Sequence, residues 1–147
     1  MTPIQITDKL FITGQISSAD IAGIIARGFV AIVNNRPDDE EPGQPQQAAT
    51  RAAAQAAGLG YLYLPVAGAT LNAEAAGTFR AALRAASGPV LAHCRSGARS
   101  FTLWAIGEIL AGEITPEQLV ALANERGCDA SDVLIWLAAH HTPFRCP

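Results

Sequence analysis

Apolar positions in this chain fall into short runs that switch between a two-residue and a helical period. Ile4-Gln5-Ile6-Thr7 and Leu10-Phe11-Ile12-Thr13 read as two strands around Asp8-Lys9, a hairpin pattern that Gly14 ends. Ser17-Ser18-Ala19-Asp20 has the hydroxyl and early acid of a helix start. Ile21, Ile24 and Ile25 follow at helical spacing, and Gly28 is placed to stop them. Phe29 to Val33 is a continuous, β-branched apolar run, the pattern of a buried parallel strand. Asn34 to Gln47 carries three prolines, one glycine and four consecutive acids, Asp38 to Glu41, and reads as a surface loop. An Ala-rich helix over Gln46 to Ala57, a strand over Tyr61 to Leu64, and a helix from an Asn72 cap to about Ala86 come next. Val90-Leu91-Ala92 is the central strand, and Phe101 to Leu110 the helix after it. Thr115-Pro116-Glu117 opens a helix that ends near Gly127, with Pro at its first position. Ser131-Asp132 opens a last one, reaching His140, and the tail from Thr142 to Pro147 reads as irregular.

Strands alternating with helices predict an α/β fold of three layers: a mainly parallel central sheet flanked by helices on both faces. The length of 147 residues and the lack of repeats or linkers predict one domain over 1–147. Half the residues are hydrophobic and 16 % are charged, the balance of a packed chain. Alanine dominates the apolar set, so helices should meet closely. A formal net charge of −3, with no basic stripe, argues against nucleic-acid binding. The apolar runs fall short of the ~20 residues that span a bilayer. The first residues lack the features of a signal peptide, so a cytoplasmic location is expected. Three widely spaced cysteines do not make a disulfide framework.

Candidate chemistry concentrates in His93-Cys94-Arg95-Ser96-Gly97-Ala98-Arg99-Ser100. A strand, a tight loop opening on Cys, then a helix is a place for a reactive thiolate. Loop amides and the positive helix end favour negative charge there, and two arginines add to it. Such surroundings turn a thiol into a thiolate at neutral pH. Cys94 is therefore the expected nucleophile. The amides of 95 to 99 would surround an anion, with Gly97 free to take positive φ. Arg99 would clamp two oxygens through its fork. Ser100 would cap the helix and hydrogen-bond the sulfur, while His93 would orient the loop from behind. The bland alternative is a buried structural Cys beside two solvated arginines.

The motif His-Cys-loop-Arg-Ser resembles that of the cysteine-dependent tyrosine and dual-specificity phosphatases. Further landmarks narrow the likeness. They are Phe11-Ile12-Thr13-Gly14-Gln15, the run Gly28 to Asp38 with Asn34-Asn35-Arg36-Pro37, Glu41-Pro42-Gly43-Gln44-Pro45, and Tyr63-Leu64-Pro65-Val66. With Leu91 to Ser100 they resemble the bacterial DUF442 or beta-lactamase-hydrolase-like phosphatase-like family. The resemblance implies a cysteine-phosphatase-like fold, with the active-site loop between the central strand and a helix. Two departures matter. Tyrosine phosphatases place five residues between Cys and Arg, whereas here there are four, Arg95 to Ala98, as in rhodanese-type sulfurtransferases. The segment Pro65 to Asn72, where those phosphatases carry a general acid, has no acid. Glu74 is expected to face solvent. Asp38 to Glu41 would have to swing over the site, and a solvated loop is the simpler expectation.

The expected function is thus a rhodanese-like sulfurtransferase working through a Cys94 persulfide, its anionic donor thiosulfate or a persulfide held by Arg95, Arg99 and the amides. The alternative is a phosphatase working through a Cys94 phosphoenzyme on a phosphoester. A third reading is a catalytically weak anion-binding module. The family likeness also implies a persulfide dioxygenase as partner. No cofactor is expected. Cys128 and Cys146 are candidates to resolve a persulfide, though packed and passive roles are simpler. His140, His141 and Cys146 match no zinc spacing, so no metal is expected. Trp104 and Trp136 read as core. Arg36, at a strand end, is a possible substrate contact or an ion-pair partner of the acid run.

Overall fold

In the computed structural model, which describes residues 1–140, five strands pair as one sheet. They are β1 (Ile4–Gln5), β2 (Leu10–Thr13), β3 (Ala31–Asn34), β4 (Gly60–Tyr63) and β5 (Val90–His93). Their order is β1-β2-β5-β3-β4, with β5 in the centre and only β1 antiparallel. The expected irregular tail, with His141 and Cys146, lies outside the described residues.

Period two sorts the strand side chains onto two faces. Leu10, Ile12, Val33, Val90 and Ala92 join the larger core, and Ile32 and Leu91 the smaller. The helices divide the same way. α1 (Ile21–Ala26) and α2 (Gln47–Ala56) cover the smaller core through Ile21, Ile24 and Ala54. α3 (Ala73–Ala85), α4 (Ala98–Leu110), α5 (Pro116–Arg126) and α6 (Ser131–His140) cover the larger through Phe79, Phe101, Leu119 and Val133. The expected α/β fold with helices on both faces of a mainly parallel sheet is therefore what forms. α4 is buried from Ser100 through Gly107, as a helix apolar nearly all round should be. It meets α3 closely: a Cβ on Gly107 would lie 3.0 Å from the Ala76 carbonyl oxygen. No helix among the described residues is long and apolar enough to cross a membrane.

Local signals hold. Ser17 and Asp20 form a capping box at a 3-10 turn (Ser18–Asp20) that runs into α1. The Asn72 side chain accepts from the Ala75 amide, and Thr115 from Gln118. Gly28, Gly58 and Gly127 stop their helices at positive φ. The main boundary error is at α4, which begins at Ala98 rather than near Phe101. Gly97 (φ 97) reverses the chain early enough to start the helix there.

Register sets up the site. Thr13, His93 and Asn34 are level across three parallel strands. The next residues, Gly14, Cys94 and Asn35, therefore leave the sheet side by side at its carboxyl edge, where α/β sheets bind ligands.

Candidate active site

The segment Cys94 to Gly97 joins β5 to α4, and short-range contacts shape it. The Gly97 amide donates to Cys94 Sγ at 3.0 Å, directing the start of α4 at the sulfur. Cys94 itself is only 1 % exposed. The end of β2 holds the loop's other side, the Gln15 amide donating to the Arg95 carbonyl at 3.2 Å. Gly14 is needed for that approach, since a Cβ there would sit 3.0 Å from the Arg95 oxygen. Arg95 projects outward, and the Ser96 hydroxyl accepts loosely from the Ala98 amide at 3.4 Å. Ala98 and Arg99 open the first turn of α4.

Two expected roles are corrected. Ser100 does not cap α4 and does not reach the sulfur. It lies inside the first turn, and its hydroxyl donates to Asn35 Oδ1 at 2.7 Å. Asn35 in turn donates through its side chain to Leu64 O and through its amide to His93 O. Its buried amide group thus ties three strand ends together. Arg36, offered as a possible substrate contact, is 2 % exposed. Its Nε binds Glu40, its Nη1 Gln15 and its Nη2 Glu41, at 2.9, 3.0 and 2.9 Å. It takes the ion-pair role. Burial opposes its charge, but the hydrogen bonds it donates to Glu41 and Glu40 keep its pKa above the ordinary value.

The acid run departs furthest from expectation. Asp39, Glu40 and Glu41 are exposed, as in the expected solvated loop, but ion pairs tie the run down. The chain reverses at Asp39, a non-glycine at φ 64, and Glu40 reaches across to the Cys94 loop. The Glu40 carboxylate pairs with Arg99 Nη1 and Nη2, each at 2.8 Å. Glu41 faces Arg95 at 3.5 Å. The Arg99 hydrogen bond, with that of Arg36, pulls the Glu40 pKa down to about 2 against the cost of burial. Glu41 is lowered too, first by Arg36. Arg99 is raised, first by its Glu40 hydrogen bond and, beyond burial, by attraction to Cys94. Sequence reasoning names Glu40 only within an acid run that would have to swing over the site, and Gln15 and Asn35 only as landmarks; it misses what each of them binds. The available signal was their setting at strand ends that the topology makes neighbours.

His93 is fully buried, and neither ring nitrogen has a hydrogen-bond partner among the described residues. Burial lowers its pKa to about 4, so the ring is neutral near pH 7. Glu74 is exposed at the start of α3. Cys128 is half-buried and lines a cavity of about 220 Å³ shared with Ser96, Gly97 and Ala98. Burial raises its thiol pKa. Trp104 is buried; Trp136 is half-buried, donates to Leu71 O, and stacks on His140 at 4.4 Å. Among the described residues no three His, Cys, Asp or Glu side chains gather as metal ligands.

The family model of the beta-lactamase hydrolase-like protein, phosphatase-like domain, matches residues 4–111. The chain belongs to this family. The beta-lactamase hydrolase-like protein of Agrobacterium fabrum is 39 % identical over 93 % of the chain, which spans 32 % of that relative. The phosphatase-like domain therefore corresponds to about a third of the curated relatives' length. A solved candidate phosphatase from Neisseria meningitidis is 30 % identical with a TM-score of 0.77, covering 88 % of this chain and 91 % of that one. P. aeruginosa TpbA, solved in complex with pTyr, is 17 % identical with a TM-score of 0.61, covering 92 % and 90 %; it shares the fold. The fold of this phosphatase-like domain is thus that of the cysteine phosphatases.

Proposed function

We propose that the domain is a cysteine-dependent phosphatase for small phosphomonoesters, with Cys94 as nucleophile. One observation carries this reading. The Cys94 sulfur sits under the Gly97 amide at the start of α4, with Arg99 in the first turn, in a fold in which a relative has been solved with phosphotyrosine. The sulfur attacks phosphorus, the ester oxygen leaves, and water then cleaves the S–P bond. The amides and Arg99 carry the charge of the transferring group. The site constrains the leaving group. Pro65 to Asn72 has no acid, and Glu40, with its pKa near 2, is ionised at neutral pH. Without a proton donor, esters of acidic phenols should be cleaved far faster than alkyl esters.

That same lack of a donor, with the short Cys-to-Arg interval, supports a second reading, sulfur transfer. Cys94 would attack the outer sulfur of thiosulfate, expel sulfite and keep a persulfide, which cyanide or another thiol would take up. Sulfite needs no proton to leave.

Parallel assays separate the two. Wild type and Cys94→Ser are compared on p-nitrophenyl phosphate and on thiosulfate with cyanide. Phosphate release lost in the variant supports the first reading; thiocyanate lost supports the second. Silence of the wild type in both sinks both and leaves an anion-binding module. Mass spectrometry after thiosulfate treatment adds a check, since only sulfur transfer leaves one extra sulfur on Cys94.

A further inference from the structure

We infer that Glu40 and Arg36 form a positioning relay that fixes the Arg99 guanidinium and presents its unfilled edge to the substrate anion. This rests on the reading of Cys94 as nucleophile. The argument starts with a donor count. A guanidinium carries five N–H donors in a fixed plane. In Arg99, Nη1 gives one to Glu40 Oε2 and one to the Val66 carbonyl, and Nη2 gives one to Glu40 Oε1. Glu40 thereby fills the end of the fork. What remains is Nε–H and the second N–H of Nη2, which share one edge, and neither has an acceptor among the described residues. That edge is a complete bidentate site for two oxygens.

The carboxylate that sets this edge is itself held. Glu40 Oε1 also accepts from Arg36 Nε at 2.9 Å, and Arg36 is buried with every nitrogen engaged. The backbone beneath is pinned as well. The Gln44 side chain binds the Glu40 and Glu41 amides and the Pro37 carbonyl. Asp38 accepts from the Gln47 amide, and its own amide donates to the Tyr63 hydroxyl. A segment anchored at so many points is built to hold an arginine still, which is what a transition-state contact requires. Arg36 acts only through Glu40.

The test uses Glu40→Gln, Arg99→Lys and the double variant, whose altered side chains are all partly exposed. Glu40→Gln should lower kcat about 10- to 100-fold on the better of the two assay substrates, with KM within about threefold. In the Arg99→Lys background the same change should cost less than about threefold, because the group it positions is gone. Equal losses in both backgrounds, or Glu40→Gln near wild type, overturn the relay. Side-chain relaxation by nitrogen-15 NMR decides the matter even if the wild type turns over neither substrate, an outcome that would defeat the nucleophile reading alone. The Arg99 Nε–H should be rigid in the wild type and mobile in Glu40→Gln. Equal mobility in the two overturns the proposal.

Discussion

Two loops leave neighbouring strand ends and meet over one sulfur, yet they are built by opposite means. The loop after β5 is short, and its side-chain contacts lie within a few residues, Gly97 to Cys94 and Ala98 to Ser96, with the Gln15 amide bracing its backbone from β2. The loop after β3 is long, and its decisive contact spans 59 residues, from Glu40 to Arg99. The first brings two guanidiniums, Arg95 and Arg99. The second brings a third, Arg36, and two carboxylates, Glu40 and Glu41. Together these groups sum to a charge of +1, not +3. The contrast teaches that this site is shaped by paired charge more than by raw positive charge. The loop that bears the nucleophile is only half of it.

Breaking the short loop should have the largest effects. Cys94→Ser should lower turnover at least ~10³-fold while leaving the fold intact, measured by steady-state rates beside circular dichroism. Gly97→Ala comes next. At φ 97 a side chain is strained, and its Cβ would lie 3.4 Å from the Thr13 carbonyl oxygen. The strain of roughly 1–2 kcal/mol should shift the amide that faces the sulfur and lower turnover ~10²-fold. A Gly97→Ala enzyme with wild-type rates would show that the loop tolerates a reversal built otherwise.

The difference between the loops also explains what the sequence could reveal. Strands, caps and glycine stops depend on neighbours in the chain, so the element order, the parallel sheet and the Cys94 loop are legible. α4 starts earlier than its apolar pattern predicts because Gly97, not Ser100, turns the chain. The sequence points Ser100 at the sulfur because Asn35, its actual partner, is 65 residues away. The acids at 38–41 read as a solvated run because nothing local marks Glu40 as the partner of Arg99. Only the register that sets Asn34 level with His93 brings that loop over the Cys94 loop, and register is a tertiary fact. Buried Arg36 is the same case: its Gln15 acceptor lies 21 residues away, past a different strand.

Asn35 joins the two loops, so its removal should loosen both by a smaller amount. The residue is fully buried, as is Ser100. Asn35→Ala strands the Ser100 hydroxyl and the Leu64 carbonyl, at a cost of about 1–3 kcal/mol. Urea denaturation should report this as a lower midpoint with an unchanged m-value. Ser100→Ala should cost less than Asn35→Ala, because it frees one hydrogen bond instead of two. The reverse order would mean that the hydroxyl, and not the amide, organises the strand ends.

The smallest effect is a dependence on acidity that belongs to the long loop alone. Glu40 has a folded pKa of about 2, set first by its Arg99 hydrogen bond and aided by Arg36, against an ordinary 4.5. A carboxylate depressed on folding binds protons more readily when unfolded, so its contribution is complete above the unfolded value. It drains away as the pH falls from about 4.5 towards 2. Thermal melts of wild type and Glu40→Gln across that interval report it, since the other acids titrate in both and only Glu41 feels the lost neighbouring charge. The wild type's advantage in Tm should be constant from pH 7 to 5 and shrink steadily below 4.5. With screening at a partly exposed pair the advantage is on the order of 1 kcal/mol, or roughly 2–5 °C. A difference that stays flat down to pH 2.5 would mean that Glu40 gains no charge-dependent hold on Arg99. The long loop would then be a cover over the sulfur and not a brace for the arginine.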